Sequence, residues 1–410
     1  MESSGGDSAA SAAASPARDL ADINPDDYSR WNTGIGELDR VLGGGIVPGS
    51  VVLLGGEPGI GKSTLLLQWA DARDGAAGPV VYVNGEESGA QIARRADRIG
   101  VSSDNIKLIS PGCIEQLVDD LEDLQPSLVF IDSIQTITSE DSSGMPGSVA
   151  QLRTATQKIV KAAKKFAVPF VLVGHVTKSG DIGGPKRLEH MVDTVLYFDE
   201  ANRGHRFIRS AKNRFGATGE LGIFEMTGKG LRSISNPGQY FRGSDEEECG
   251  CLATISLQGN RPLLVEVQAL VTPSQYGTPQ RSATGFSNQR LHMLLAVLEK
   301  KMGLPLGTQD VFVNVAGGLQ LDDPGADLAM AMAILSSFKE KSLRPGIAFG
   351  ELGLTGELRP PAQVDSRVRE AIRLDNSPLV VGGEDIRQNE HSSQYKTVNS
   401  IARAADLLIK

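Results

Sequence analysis

Residues 56–63 of the chain read GEPGIGKS, and they directly follow the apolar run VVLLG at residues 51–55. The stretch fits G-x-x-x-x-G-K-[ST] at every fixed position, with a predicted strand before it and a predicted amphipathic helix over residues 63–72. In such a loop, backbone N–H groups wrap phosphates and the helix start points its partial positive charge at them. The pattern therefore predicts ATP binding by Gly56, Glu57, Pro58, Gly59, Ile60, Gly61, Lys62, Ser63 and Thr64.

Two of these residues have expected chemical roles. Lys62 is expected to reach the β- and γ-phosphates, and the Ser63 hydroxyl to hold Mg²⁺. A glycine-rich turn that matches by accident is the alternative interpretation. The strand and the helix on either side of the loop argue against it.

Length and composition limit what accompanies this loop. At 410 residues the chain exceeds the usual single-core size of about 250–300 residues, so two domains are expected. The net charge of -9 argues against a wholly basic nucleic-acid coat but leaves a local basic patch open. The three cysteines, Cys113, Cys249 and Cys251, include no C-x-x-C pair, which predicts neither disulfides nor zinc and favours a reducing, cytoplasmic compartment. No apolar run reaches the roughly 18 residues of a membrane span, and residues 1–28 are expected to be a disordered lead-in.

Strand-like and helical runs alternate after the loop, a pattern typical of an α/β fold with a mostly parallel sheet covered on both faces. The predicted strands are residues 79–87, 127–133, 169–175, 194–199 and 205–213. In such sheets ligands collect at the carboxyl ends of the strands.

Three acidic residues follow predicted strands. Asp132 closes the apolar run LVFI, the arrangement of a Walker B strand, and is expected to hold through water the Mg²⁺ that Ser63 also binds. Glu86 and Glu87 end the neighbouring strand, where a carboxylate would polarise the attacking water. Glu86 is favoured as the catalytic base and Glu87 is the second choice. Alternatively, both acids merely stabilise the start of the next helix.

His175 ends a further predicted strand, in the phrase VGHVTKSG, and is interpreted as a sensor of the γ-phosphate. The loop after it is rich in glycine and contains Lys178, Lys186 and Arg187, which are expected to follow a DNA backbone without base stacking. A second loop at residues 139–148 is acidic, and the sequence gives it no clear role.

The phrase KNRFGATGE at residues 212–220 carries two cations one residue apart. In a strand, residues i and i+2 share a face, so Lys212 and Arg214 are expected to project together. A plausible target is the γ-phosphate of a neighbouring subunit, reached in trans as an arginine finger. A solvated strand end is the alternative.

These motifs, in this order and spacing, resemble the bacterial RadA (Sms) family of DNA repair proteins from about Trp31 to the C-terminus. The most family-specific phrase is the KNRFG motif: Lys212, Asn213, Arg214, Phe215 and Gly216. The resemblance implies a RecA-like P-loop ATPase core in a homo-hexameric ring that uses ATP to move on single-stranded DNA and to promote branch migration beside the recombinase RecA. The family usually begins with a four-cysteine zinc finger, which is not found here, so functions tied to that finger stay open.

The predicted domains are a RecA-like ATPase domain at 29–240, an acidic linker at 241–250 and an α+β domain at 251–410. The last resembles the Lon-type protease domain of the RadA family, with strands predicted at 251–259, 262–272, 310–318 and 346–359 and helices at 288–302, 327–338 and 366–374. A Lon peptidase needs a serine activated by a lysine, but Gly325 and Asp365 stand at the matching positions. A non-proteolytic scaffold is therefore expected, in which Arg281 and Arg290 are weak candidates for DNA contacts.

Two other functions remain open from the sequence. One is an ATP-gated recombination mediator that binds DNA without translocating. The other, opposed by Gly325 and Asp365, is an ATP-dependent Lon-like protease.

Overall fold

The computed structural model of the chain describes residues 29–73, 78–102, 104–110, 112–142, 144–175, 188–200, 204–234, 249–275, 277–374, 379–383 and 392–410. The predicted lead-in at 1–28, the basic loop with Lys178, Lys186 and Arg187, and most of the predicted linker lie outside these ranges. Within them, no helix combines the length and the apolar surface that crossing a bilayer demands.

Nine strands of the described residues form the first sheet: β1 (Val51–Gly56), β2 (Val80–Asn84), β3 (Ile106–Ile109), β4 (Leu128–Asp132), β5 (Phe170–His175), β6 (Thr194–Glu200), β7 (His205–Asn213), β8 (Leu221–Thr227) and β9 (Gly230–Ser233). Their order is β3-β2-β4-β5-β1-β6-β7-β8-β9. The first six strands in this order are parallel. The last three extend the sheet in antiparallel fashion.

Helices cover both faces of this sheet: α1 (Gly36–Leu42), α2 (Lys62–Ala72), α3 (Gly89–Ile99), α4 (Ile114–Leu124) and α5 (Val149–Phe166). Alternate residues of the central strands point to opposite faces. On β1, Val52 packs with α1, α2 and α3, whereas Val51 packs with α4 and α5. The expected α/β class with a mostly parallel central sheet is thereby confirmed.

Two sequence-based expectations for this sheet were wrong. β7 does not continue the parallel series but folds back on β6, because the few residues between Glu200 and His205 cannot hold a crossover helix. Helix α2 is not amphipathic but is buried on most sides, since α3 and β9 cover it in addition to the sheet.

The second sheet has seven strands among the described residues, in the order β12-β13-β11-β10-β14-β17-β18. These are β10 (Cys251–Gln258), β11 (Arg261–Pro273), β12 (Arg281–Thr284), β13 (Gln309–Val315), β14 (Ile347–Phe349), β17 (Leu379–Gly382) and β18 (Lys396–Val398). The helices are α6 (Asn288–Met302), α7 (Asp327–Lys339), α8 (Val364–Arg373) and α9 (Ile401–Leu408). Apolar residues of α6, α7 and α9 share one core with the sheet, and α8 packs on the other face.

One predicted strand of this part of the chain, at 346–359, was wrong as a single element. It divides into β14 and a small antiparallel pair, β15 (Glu351–Leu352) and β16 (Leu358–Arg359). The glycines between these short strands break the ladder, and Gly356 has a φ of +87° that favours a turn.

A buried ion pair joins the two sheets. Arg261 at the start of β11 donates to Glu37 of α1, with N–O distances of 2.5 and 3.2 Å. Arg261 also donates to the carbonyl of Leu221 at 2.9 Å, and the N–H of Ile223 donates to Glu37 at 2.8 Å. Phe207, Leu221 and Ile223 share a core with the second sheet. The antiparallel strands therefore contact both parts of the chain.

Candidate active site

The phosphate-binding loop lies between β1, which ends at Gly56, and α2, which begins at Lys62. Gly59 and Gly61 have φ angles of +79° and +120°, a region that only glycine adopts readily. Gly56 is also required for packing, since a Cβ there would lie 2.7 Å from the carbonyl oxygen of Phe198. The glycines thus permit a tight loop whose N–H groups are available to an anion.

Lys62 is buried within the loop. Its Nζ donates to the carbonyl oxygens of Gly56 at 2.8 Å and of Glu57 at 2.9 Å. Burial lowers the pKa of Lys62, while the negative charges of Asp132 and Glu86 act in the opposite direction. The side chain is held beside the positions where a phosphate would bind.

Asp132 ends β4 directly beside the loop. Its Oδ2 accepts hydrogen bonds from the Ser63 hydroxyl at 2.7 Å and from the Tyr82 hydroxyl at 2.6 Å. Mg²⁺ prefers oxygen ligands and is commonly bound through one or two protein groups plus substrate phosphates. Ser63 and Asp132 fit that requirement, because they bring a hydroxyl and a carboxylate to one point.

Tyr82 is a site residue that the sequence analysis missed. It lies on β2, is 1% exposed and packs edge-on against Phe130 at a ring distance of 6.0 Å. Burial, together with the neighbouring Asp132, raises the pKa of the Tyr82 hydroxyl well above its ordinary value. The hydroxyl therefore keeps its proton and donates a hydrogen bond to Asp132. No motif marks a tyrosine in a predicted buried strand, so the sequence carried no signal for this contact.

Glu86 and Glu87 have different partners. Glu86 accepts a hydrogen bond from the Ser133 hydroxyl, next to Asp132. Glu87 forms an ion pair with Arg95 at 2.5 Å. Helix α3 is capped by Ser88, whose side chain accepts from the N–H of Gln91. The cap is therefore a serine, and the Glu86 carboxylate lies on the side of the phosphate-binding loop.

His175 is the last residue of β5 and pairs with Gly56 of β1. The backbone thus brings His175 to the first residue of the phosphate-binding loop.

The KNRFG motif and the phosphate-binding loop lie at opposite ends of the strands. Lys212 pairs with Val195, and Asn213 pairs with Thr194, which is level with Val52 at the start of β1. Gly56, where the phosphate-binding loop begins, is four residues further along β1, or about 13 Å at the usual rise of a strand.

Both cations of the motif contact their own chain. The Nζ of Lys212 donates to the carbonyls of Glu189 at 2.7 Å and Val192 at 2.8 Å. Arg214 pairs with Asp193 at 3.1 Å, and 53% of its side chain is exposed. Burial and the adjacent Arg214 lower the pKa of Lys212. Of the two, Arg214 is the more accessible.

The other residues of the motif anchor the turn. The side chain of Asn213 donates to the carbonyl of Leu42 at 3.1 Å and accepts from the N–H of Phe215 at 2.9 Å. Arg30 donates to the carbonyl of Phe215. Gly216 leaves room for the Asn213 side chain, since a Cβ on Gly216 would lie 3.2 Å from the Asn213 Nδ2.

Comparison with known proteins agrees with this architecture. Residues 23–181 match the model of an AAA domain. The chain is 45% identical over 365 residues to the DNA repair protein RadA of Bacillus subtilis (strain 168), covering 88% of this chain and 80% of that protein. It is 45% identical over 393 residues to the DNA repair protein RadA of Streptococcus pyogenes serotype M1, covering 94% and 86%.

The chain belongs to the RadA family of DNA repair proteins. A third RadA protein, from Synechocystis sp. (strain ATCC 27184 / PCC 6803 / Kazusa), is 45% identical over 382 residues, which cover 88% of this chain and 76% of that one. The resemblance stated from the motifs is confirmed, and with it an AAA-type ATPase domain.

The second sheet of this RadA-family chain carries a charged cluster around Gly325. Arg367 is fully buried and donates to Asp323 at 2.6 and 2.9 Å. A Cβ on Gly325 would lie 2.7 Å from the Arg367 guanidinium. Asp365, by contrast, is exposed. Arg367, and not Asp365, therefore fills the space beside Gly325.

The two arginines suggested for DNA contacts differ. Arg281 is exposed on β12. Arg290 instead forms two hydrogen bonds to the fully buried carboxylate of Asp327, which also accepts from the N–H of Leu352 at 3.1 Å. Arg290 therefore has a structural task, because its charge compensates a buried acid, and the suggested DNA contact stays a prediction.

Proposed function

We propose that this RadA-family chain is a DNA-dependent ATPase that acts as a ring-shaped homo-hexamer, moves on single-stranded DNA and promotes branch migration of recombination intermediates in DNA repair. The proposal rests on three groups of residues: the phosphate-binding loop with Asp132 and Glu86, the cations of the KNRFG motif, and the basic residues Lys178, Lys186 and Arg187. Each supports one requirement of such a motor.

The first requirement is ATP hydrolysis. Lys62 and the loop N–H groups would bind the phosphates, and Ser63 and Asp132 would hold Mg²⁺. The metal ion would neutralise charge on the phosphates. Glu86 is the proposed base that activates water, and His175 the proposed sensor. The involvement of Glu87 with Arg95 supports Glu86 over its neighbour.

The second requirement is a site shared between subunits, and the strand register is the observation that carries it. Arg214 lies at the far end of the sheet from its own phosphate-binding loop. A finger residue must reach the transferring phosphate itself, so Arg214 can act only on the nucleotide of another subunit. A ring of identical contacts meets this condition for every subunit.

The third requirement is contact with DNA. Lys178, Lys186 and Arg187 remain the proposed backbone contacts, and the recombinase RecA the proposed partner. Support comes from the relatives, which are named DNA repair protein RadA. Such contacts predict a steep dependence of DNA affinity on salt.

We further propose that residues 29–240 form the ATPase domain, 241–250 a linker and 251–410 a Lon-like scaffold without peptidase activity. The buried Asp323–Arg367 pair supports the lack of peptidase activity, since the Arg367 guanidinium fills the space that a serine at position 325 would need.

The decisive experiment mixes two variants that are each impaired in ATP hydrolysis. Lys62→Ala should abolish hydrolysis, and Arg214→Ala should lower hydrolysis but preserve ATP binding, because a finger acts mainly on the transition state. Mixed rings contain some interfaces with an intact loop facing an intact finger, so part of the DNA-stimulated ATPase activity should return.

No recovery in mixtures that exchange subunits would contradict the shared site. Recovered ATPase activity without displacement of strands from branched DNA would favour the mediator function over the motor. ATP-dependent cleavage of unfolded casein would instead revive the protease.

A further inference from the structure

Arg206 contacts the phosphate-binding loop, although no motif of the sequence includes it. Its Nε donates to the carbonyl oxygen of Ile60 at 3.1 Å, and a second guanidinium nitrogen lies 2.8 Å from the Glu200 carboxylate. Only 12% of the side chain is exposed. The register explains the contact, because Arg206 pairs with Glu200 at the end of β6 that lies beside the loop.

The contact acts on the peptide unit between Ile60 and Gly61. This unit is planar, and in the trans form its C=O and N–H bonds point in opposite directions. A guanidinium that holds the Ile60 oxygen on the β7 side of the loop therefore turns the Gly61 N–H toward the other side. That N–H is one of the groups with which such a loop binds phosphate.

The loop needs such a restraint because glycines flank Ile60. Gly59 and Gly61 both have positive φ angles, and glycine loses more conformational freedom on ordering than any other residue. Within the loop, the N–H of Ile60 makes a long bond of 3.4 Å to Glu57. A charged donor from outside the loop adds a stronger bond.

We propose that Arg206 is a positioning residue, which holds the Ile60–Gly61 peptide with its N–H directed at the phosphate position before the nucleotide binds. The proposal rests on the proposed ATPase function of the loop. It assigns to the antiparallel strand β7 a second role besides carrying Lys212.

Arg206 acts in this view through the loop and not on the γ-phosphate. The expected consequence is that ATP and ADP lose affinity by the same factor when Arg206 is removed. A residue that touched the γ-phosphate would discriminate between the two nucleotides. This difference separates a positioning role from direct contact.

The test measures the dissociation constants of Mg·ATP and Mg·ADP by calorimetry for the full chain and its variants. Arg206→Ala should weaken both by about 5- to 10-fold, the equivalent of roughly one hydrogen bond. Arg206→Lys keeps the charge but not the planar donor, so an intermediate affinity is expected. Arg232→Ala is the matched control, since Arg232 pairs with Glu225 on the exposed part of the same antiparallel strands.

Three outcomes would overturn the proposal. They are unchanged affinity in Arg206→Ala, a loss confined to ATP, and wild-type affinity in Arg206→Lys, which would reduce the effect to charge alone. Thermal unfolding without nucleotide checks that Arg206→Ala is folded. If the wild-type chain and the Arg232→Ala variant also fail to bind nucleotide, the proposed function fails and not merely the role of Arg206.

A second readout reports on the peptide itself and stays usable if Arg206→Ala is less stable. Deuterated protein labelled with ¹³C at isoleucine carbonyls and ¹⁵N at glycines gives NMR signals only from glycines that follow isoleucine: Gly36, Gly61, Gly100 and Gly183. In Arg206→Lys, the Gly61 signal should broaden without nucleotide and sharpen with ADP, while Gly36 and Gly100 stay unchanged. A sharp Gly61 signal in the nucleotide-free variant would contradict the proposal.

Discussion

The carboxylate of Asp132, a proposed Mg²⁺ ligand, accepts hydrogen bonds from two hydroxyl groups, those of Ser63 and Tyr82. The Ser63 hydroxyl that donates to it is the same group expected to bind Mg²⁺, so this bond must be exchanged when the metal arrives. The Tyr82 hydroxyl has no such second task and can hold the carboxylate throughout. Tyr82 is thus expected to preserve the orientation of Asp132 while Ser63 changes partner.

Replacing Tyr82 by phenylalanine tests whether the Tyr82 hydroxyl holds the orientation of Asp132. Tyr82→Phe should weaken nucleotide binding in Mg²⁺ by about 3- to 10-fold, the equivalent of roughly one ordinary hydrogen bond, and leave binding in EDTA unchanged. Titration of a fluorescent ATP analogue under both conditions measures the effect. Tyr197→Phe is the control, because it removes a hydroxyl bonded to a different carboxylate, Glu189. Equal losses with and without Mg²⁺ would point to a general packing defect.

Glu86 and Glu87 are adjacent in sequence but have different partners, so substitutions can test their proposed roles separately. Glu86→Gln should lower ATP turnover by about 100-fold or more, the range of general-base catalysis, while ATP still binds. Glu87→Gln should cost far less turnover, since its carboxylate pairs with Arg95. Single-turnover hydrolysis at saturating ATP measures both. A larger loss for Glu87→Gln than for Glu86→Gln would reverse the assignment.

For single residues, the sequence predicts the site residues that belong to a short motif and misses those that do not. The loop and Asp132 follow from short motifs. Tyr82 and Arg206 reach the site from β2 and β7, and only the strand register brings them there. Arg290 looked like a surface cation because its buried partner, Asp327, lies 37 positions away.

Among the elements, the acidic loop after β4 acquires a structure that its composition did not indicate. Gln151 near the start of α5 is 3% exposed and turns back into the loop. Its side chain accepts from the N–H of Ser139 at 2.9 Å and donates to the carbonyls of Ser142 at 2.6 Å and Gly144 at 3.0 Å. The side chain of one glutamine thus bonds backbone groups from three positions of this loop.

Gln151→Ala should therefore release this loop without unfolding the sheet. The lost bonds predict a local destabilisation of about 1–3 kcal/mol, equal to about 5- to 150-fold faster amide exchange in residues 139–148. Hydrogen–deuterium exchange with mass spectrometry measures it. Gln157→Ala, an exposed glutamine on the same helix, should leave the exchange unchanged. Unaltered protection in Gln151→Ala would show that other contacts hold the loop.

Glu115 is a second anchor of this loop, and it keeps its charge near neutral pH. Burial raises the pKa of Glu115, but hydrogen bonds from Lys158 and Ser139 outweigh it and lower the pKa to about 2 from 4.5. A carboxyl with a depressed pKa stabilises the folded state above its unfolded pKa, and this contribution is lost as the pH falls toward 2. A difference in protection between Gln151→Ala and the wild-type chain, measured at one pH between 6 and 8, can therefore be assigned to Gln151.

The periodicity of apolar residues predicts most of the helices and strands, but it does not predict whether neighbouring strands are parallel or antiparallel. β7 was expected at 205–213, which are its observed bounds, yet its antiparallel direction depends on the length of the connection before it. The segment 346–359 was read as one strand because its apolar residues are evenly spread. The turn at Gly356 decides otherwise, since its φ of +87° reverses the chain.

On the scale of the whole molecule, the Glu37–Arg261 pair connects the helix before the phosphate-binding loop to the first hairpin of the second sheet. Both side chains are at most 6% exposed. Isolating a buried charge costs much more than an intact pair contributes. The pair is therefore expected to make the two sheets unfold together, because separating them would take the buried Arg261 from its carboxylate and leave Glu37 with only the longer contact to Arg40 at 4.0 Å.

Arg261→Met removes one charge while keeping an apolar side chain of similar length, and it leaves Glu37 buried without its partner. The expected cost is about 3–5 kcal/mol in the free energy of unfolding. Calorimetry should then resolve two transitions where the wild-type chain shows one. Glu37→Gln combined with Arg261→Met should recover much of the loss, because no unpaired charge remains.

Arg373→Ala is the control. It removes an exposed ion pair with Glu370 and should cost no more than about 1 kcal/mol. A single transition at wild-type temperature in Arg261→Met would mean that the shared apolar core around Phe207 and Ile223, and not the ion pair, holds the two sheets together.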